Sequence, residues 1–399
     1  MEISYRERFE EERHIKRQRT RRILRVLIYL ACVAVVAGIF ALVVHGIINR
    51  KYNNIETIDS VERTDSNTVN YMAYDNKLLK FSRDGASALD ASGSVLWNGS
   101  YDMNAPQADV RGAYAVIADI GGKEAYVYNG SDSGTEIQTT RNIVQARVAN
   151  QGVTALLLED SDSNVINIYN PYTITDNLIA DIPTNISDGF PVDFALSPDG
   201  SSVVVSYVSV TSGVTECKVA FYNFSKVGQN KDHLVSGGSY KDSIVSKIEF
   251  LSDDTVCLFS DVGYEIWDNL KQPSKVSHQE FDEDIHSVFY TDEYVGFVFE
   301  NSEDDAPYKV RVFEISGKEV LTRSLDFEYE TVFMKGKEIV FYSSQGMMIM
   351  RVNGVVKLNY DFAEKVEAVF PARKTNHFYF LTSGRLDEIK LIRGKGRDD

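Results

Sequence analysis

Histidine and cysteine are the scarce reactive residues of this 399-residue chain, with six of the first and three of the second. The histidines are His14, His45, His233, His278, His286 and His377. No H-E-x-x-H, C-x-x-C or G-x-S-x-G spacing occurs, so the arrangements that build a zinc protease, a redox dithiol or a nucleophile elbow are missing. The four histidines beyond residue 50 fall in separate segments and read as single structural or solvated rings. Oxygen ligands are more plentiful. Glu159-Asp160-Ser161-Asp162-Ser163-Asn164 alternates them in a way that suits Ca²⁺. An EF-type loop then needs glycine at its sixth position and a carboxylate at its twelfth, and here those are Val165 and Pro171. The run, like Asn301-Ser302-Glu303-Asp304-Asp305, reads as a solvated hairpin tip. Glycosidase or lyase chemistry asks only for two placed carboxylates, and 53 acidic residues beyond residue 50 leave no pair to single out. No catalytic, cofactor-binding or metal-binding residue is therefore assigned, no cofactor is expected, and an enzyme is the less favoured reading.

Cys217 and Cys257 lie in strand-like runs, VTECKVAFY and TVCLFS. They read as two buried free thiols, with one bridge left open if they face each other across neighbouring sheets. Two such residues are no disulfide framework. Cys32 sits inside an apolar run, and Tyr29-Leu30-Ala31-Cys32 lacks the aliphatic residue that a lipidation site begins with.

The elements that must carry these residues are strands. Beyond residue 65, short runs rich in Val, Ile, Tyr and Phe alternate with Asp-Gly, Ser-Gly, Asn-Gly and Asp-Asp turns. Self-similarity appears at a period near 40. Residues 244–281 give the clearest unit: Ile248 and Phe250 on a first strand, Ser252-Asp253-Asp254 as the turn, Val256 to Phe259 as a buried second strand, Tyr264 to Trp267 as a third. Seven more units begin near Val69, Asp109, Val144, Val192, His286, Thr331 and Val366. Eight four-stranded units predict an all-β, eight-bladed β-propeller, with seven blades as the runner-up because the third and fourth units are irregular. A small sheet has two apolar faces, and radial stacking covers both. The last unit has material for three strands only, so Ile55–Val61 is expected to supply its outer strand and close the ring.

The other element is helical. Val26 to Ile48 contains no formally charged residue, and 23 residues at about 1.5 Å each reach roughly 34 Å, enough to cross a bilayer core. It is too long for a signal-peptide core and lacks an A-x-A-like exit. Nine Lys/Arg precede it, against Arg50, Lys51 and Arg63 after it. The expectation is a single-pass signal-anchor with a cytoplasmic N-terminus and an extracytoplasmic C-terminal domain. The basic tail could also touch anionic lipid. The expected boundaries are a basic tail at 1–25, the span at 26–48, a linker with the ring-closing strand at 49–65, the propeller at 66–394 and a tail at 395–399. Net charge is −16, and residues 51–399 carry 32 Lys/Arg against 53 Asp/Glu, which repels nucleic acid.

Ala88-Leu89-Asp90-Ala91-Ser92-Gly93-Ser94-Val95-Leu96-Trp97 resembles the A-x-D-x-x-[TS]-G-x-x-x-W repeat of quinoprotein-like (PQQ-like) propellers. The resemblance implies a turn from Asp90 to Gly93 and a Trp97 docked between adjacent blades. Leu196-Ser197-Pro198-Asp199-Gly200 is similar to the S-P-D-G turn of WD40- and TolB-like propellers. Both motifs mark blades and not activities. A quinoprotein dehydrogenase would need a cofactor pocket with Ca²⁺ ligands and often adjacent cysteines; this chain has no adjacent cysteines and one good repeat. Basic tail, span and acidic propeller together resemble a family of membrane-anchored propellers from Gram-positive bacteria, which brings no activity with it. The leading expectation is a non-enzymatic interaction or scaffold module whose partner is an envelope protein or a cell-wall polymer. An enzyme acting on sugar or peptide in the central funnel and a ligand sensor are the alternatives.

Overall fold

The computed structural model describes residues 29–30, 32–40, 42, 46, 49–63, 68–75, 77–90, 92–130, 134–159, 163–173, 177–184, 189–211, 213–229, 232–302 and 305–394. The chain divides into two compact units, Met1–Lys51 and Tyr52–Asp399. In the first, the described residues from Tyr29 to Gly46 are helical, and the rest of Val26–Ile48 lies outside the described residues. Among the described residues no helix is long and apolar enough to cross a membrane. The tails at 1–25 and 395–399 also lie outside them.

The second unit holds eight antiparallel four-stranded sheets. Blades I to VII span residues 70–100, 106–138, 142–184, 190–241, 245–280, 285–325 and 331–361. Each expected unit start falls within three residues of the observed first strand. Blade VIII takes Ala368–Pro371, His377–Leu381 and Arg385–Ile392 from the C-terminal end and Asn54–Glu62 as its outer strand. In that pairing Ile55 stands opposite Leu391 and Val61 opposite Leu386. Ser60 Oγ donates to Asp387 Oδ1 at 2.5 Å, and Gly394 N–H donates to Asn53 Oδ1 at 2.7 Å.

Alternation along the second strands explains why the sheets form a ring. In Thr255–Ser260 of blade V, Val256 and Leu258 enter the core shared with blade IV. Cys257 and Phe259 enter the one shared with blade VI. In blade VII, Ile339 and Phe341 face blade VI while Val340 and Tyr342 face blade VIII. Successive side chains point to opposite faces of a strand, so a strand apolar at every position needs a neighbour on both sides. The described residues form eight such cores, one at each of the eight seams, including the one between blades VIII and I. Eight seams for eight sheets decide against seven blades.

Both blade motifs do structural work. Asp90 Oδ1 accepts from Ser92 N–H and Ser94 N–H at 2.9 Å and from Ser92 Oγ at 2.7 Å. The Ser92 hydroxyl leads the donors that hold the Asp90 carboxyl below its usual range. Gly93 closes the turn at φ 73°, a region that costs a side-chain-bearing residue. Trp97, on the outer strand of blade I, stacks on Tyr128 of blade II with centroids 4.4 Å apart and meets Tyr74 edge-on at 6.1 Å. The tryptophan thus docks between adjacent blades. In the second motif, Ser197 Oγ donates to Asp199 Oδ1 at 2.6 Å, and Asn150 N–H donates to Pro198 O at 2.7 Å, which ties blade III to blade IV.

Candidate functional site

The first strand of each blade lies innermost, and the first strands of blades II to V touch in succession, those of blades IV and V most closely. Four of them carry polar residues at i, i+2 spacing or singly: Asp109 and Arg111, Gln145 and Arg147, Asp193, and Lys247 and Glu249. Register shifts between Ile143 and Gln145, Pro191 and Asp193, and Val245 and Lys247 set three of these groups. A bulge leaves one residue unpaired and re-aims those after it. Here it turns the polar side chains together while Val144 and Val192 stay exposed.

Asp193 is the hub. Its Oδ1 accepts from Gln145 Nε2 at 2.7 Å and Arg147 Nη2 at 3.2 Å, both from blade III. Its Oδ2 accepts from Ile248 N–H of blade V at 2.8 Å. One carboxylate on blade IV therefore fastens three blades. Asp109 Oδ2 accepts from Val148 N–H of blade III at 2.8 Å. Burial raises the pKa of both Asp109 and Asp193; the Arg147 charge opposes this first at Asp109, and the Gln145 hydrogen bond does so at Asp193. Lys247 Nζ lies 3.3 Å from Glu249 and 5.2 Å from the Tyr290 ring centroid. Burial, and then the Glu249 charge, push the Tyr290 phenol far up, so it stays protonated. The set balances three carboxylates against three cations. Its chemistry is cross-blade pairing, and the hydrogen bonds to Asp193 are satisfied within the protein.

A different surface is apolar. The second and third strands of blade IV, Ser202–Thr211 and Val214–Asn223, are ten residues each. The first strand pairs only as far as Val208 and the fourth only as far as Glu216. The hairpin therefore projects about three residues, roughly 10 Å, past its neighbours. Val210 and Val214 at its tip are 68% and 61% exposed. At the same end of blades III and IV, Phe190 is 66% exposed, and Val144 and Val192 join it. Monomers rarely keep large apolar residues grouped and exposed without a use.

The histidines do not converge. His233 packs against Phe224, His278 lies on the outer strand of blade V, and His286 meets Tyr308 and Tyr329. His377 Nδ1 lies 2.8 Å from Glu388 Oε1. His14 and His45 lie outside the described residues. Of the acidic tips, Asp160–Asp162 and Glu303–Asp304 also lie outside them. Among the described residues no group of three His, Cys, Asp or Glu could hold a metal. Cys217, on blade IV, is buried in the core shared with blade V, and Cys257, on blade V, in the core shared with blade VI, which keeps these free thiols from pairing. Burial lifts both thiols above their ordinary pKa. Neither the axial network nor the hairpin surface stood out among isolated motifs. Their signals were charged i, i+2 pairs in first strands, and a hairpin whose tip keeps alternating valines into solvent.

Solved structures similar to this chain are propeller proteins. BamB from Moraxella catarrhalis aligns with a TM-score of 0.53 and 10% identity, over 85% of this chain and 100% of its own. Sqt1 from Chaetomium thermophilum, bound to the N-terminus of ribosomal protein L10, aligns at 0.53 and 12%, over 86% and 100%. The WD40 domain of SCAP from fission yeast aligns at 0.52 and 10%, over 85% and 98%. At such identities the likeness is one of fold. No curated protein matches the chain. A family model matches residues 48–391, and the chain thereby belongs to the family of unknown function DUF5711.

Proposed function

We propose that this protein is a membrane-anchored extracytoplasmic propeller that serves as a non-enzymatic interaction module, with an envelope protein as its partner. The observation that carries the reading is the projecting blade IV hairpin with Val210, Val214 and Phe190 exposed at one end of the ring. Apolar groups that cluster on a rigid scaffold and bury on contact supply binding free energy at about 25 cal/mol per Å². An apolar surface favours a protein over a hydrophilic cell-wall polymer. The axial carboxylates support the same reading, because Asp193 is engaged in fastening blades. Anchoring rests on the apolar run Val26–Ile48 and the basic residues before it.

The test is site-specific photo-cross-linking in intact cells. A cross-linker at Val210 should trap one discrete protein, a cross-linker at Asp253 should not, and Phe190→Ser with Val214→Ser should abolish the product. Equal products from both sites, or none from Val210, would refute the interaction surface. Location is tested separately: external protease should digest the propeller in whole cells stripped of their wall, and complete protection would refute extracytoplasmic placement.

A further inference from the structure

The seam between blades VIII and I holds fewer buried apolar residues than any other seam among the described residues: Leu78, Leu89, Ala372, Tyr379, Leu381 and Leu386. Beyond them the two blades part around a cleft of about 480 Å³. That lies within the range of roughly 300–1,000 Å³ typical of small-molecule sites. The strand directions place the cleft on the face opposite the blade IV hairpin tip, so a ligand bound in it would leave that surface untouched.

The floor belongs to blade VIII. Tyr379 and Glu388 stand opposite each other in the strand register, and each is more than nine-tenths buried. Glu388 Oε1 is committed to His377 Nδ1 at 2.8 Å. Glu388 Oε2 and the Tyr379 hydroxyl make no hydrogen bond to the described protein. Burial, then the Glu388 and Asp90 charges, push the Tyr379 phenol up to about 12, so it remains a neutral donor and acceptor. The two atoms open onto the cleft and are not sealed in the core, so they are available to a ligand's polar group. Among the described residues the walls offer no internal partner. Lys77 Nζ pairs with Asp75 at 3.5 Å, and Asp90 Oδ1 is filled by its own turn. At the rim, Arg373 and Lys374 lie exposed on the turn between the first two strands of blade VIII, and neither side chain has an ion pair or hydrogen bond in the described protein. A free carboxylate oxygen and a phenol at the floor suit an ammonium group. Two unengaged cations at the rim suit a carboxylate, which a guanidinium binds in bidentate fashion.

We propose that this cleft binds a small zwitterion of dipeptide or tripeptide size. Its ammonium contacts Glu388 Oε2 and the Tyr379 hydroxyl, and its carboxylate lies at Arg373 and Lys374. The experiment uses the purified full chain and a panel of alanyl dipeptides with free termini, screened by saturation-transfer NMR and followed by calorimetry. At least one dipeptide should bind saturably. N-acetylation and C-amidation should each weaken binding about tenfold or more, since each removes a charge-assisted hydrogen-bonding group. Glu388→Gln should cause a similar loss. Because that variant could disturb His377, Arg373→Ala with Lys374→Ala on the exposed turn provides a second test, with the same loss and an unchanged melting temperature. Absence of saturable binding across the panel at about 10 mM, a concentration that would saturate even a millimolar complex, would overturn the proposal. Equal binding of the blocked dipeptides, or binding of an uncharged disaccharide in their place, would overturn it as well. Cross-linking from Val210 is independent of every one of these results.

Discussion

Removing the Trp97 side chain should loosen the seam between blades I and II by an amount that the geometry fixes. The indole is 6% exposed, stacks on Tyr128 and meets Tyr74 edge-on. Truncating a buried tryptophan to alanine costs about 3–5 kcal/mol. The aromatic pair accounts for about 0.5–1.5 kcal/mol of that beyond burial. Unfolding entropy near 2.1 cal/mol/K per residue gives about 0.7 kcal/mol/K for a ring of about 340 residues, so a loss of about 4 kcal/mol lowers the melting temperature by about 6 °C. The indole Nε1 is buried without a hydrogen-bond partner. Trp97→Phe therefore abandons no satisfied bond and should cost less than half as much as Trp97→Ala. Calorimetry on wild type, Trp97→Ala, Tyr128→Ala and the double variant completes the cycle, and hydrogen exchange locates the opening. A loss below about 1 kcal/mol for Trp97→Ala, or strictly additive single variants, would refute the view that this residue locks two blades.

Three further outcomes are expected. Burial raises the Asp109 carboxyl in the folded state, so its contribution to stability is fully present below about pH 4 and is lost as pH rises through the raised folded pKa. The stability of Asp109→Asn minus that of wild type should therefore increase from about pH 4 to about pH 7 in urea unfolding, and a flat or falling difference would contradict the assignment. Ile55→Asp places a charge in the core between blades VII and VIII and weakens the closing strand; it should cost about 2–4 kcal/mol and promote self-association through the freed edge, as light scattering would reveal. In a Cys32→Ser background, Cys217 and Cys257 should resist thiol reagents until the ring unfolds and should not cross-link under oxidant. Rapid labelling of the native protein would show that blade V is not packed on both faces.

The sequence alone determined the blades, because burial on both faces of a thin sheet leaves a local record. Runs such as Val256–Phe259 are apolar at every position only where neighbours cover both sides, and turns such as Ser197-Pro198-Asp199-Gly200 mark where strands reverse. The shortage of strands in the last unit pointed to Ile55–Val61, and that segment lies inside the strand paired with Arg385–Ile392. Only tertiary structure decided what the polar residues do. Asp193 draws its partners from Gln145, Arg147 and Ile248, and Glu388 meets blade I only after the closing strand has come round to the last blade. A local pattern records whether a side chain faces protein or water. It does not record which distant strand arrives opposite, since that depends on ring geometry and on single-residue bulges that re-aim whole strands.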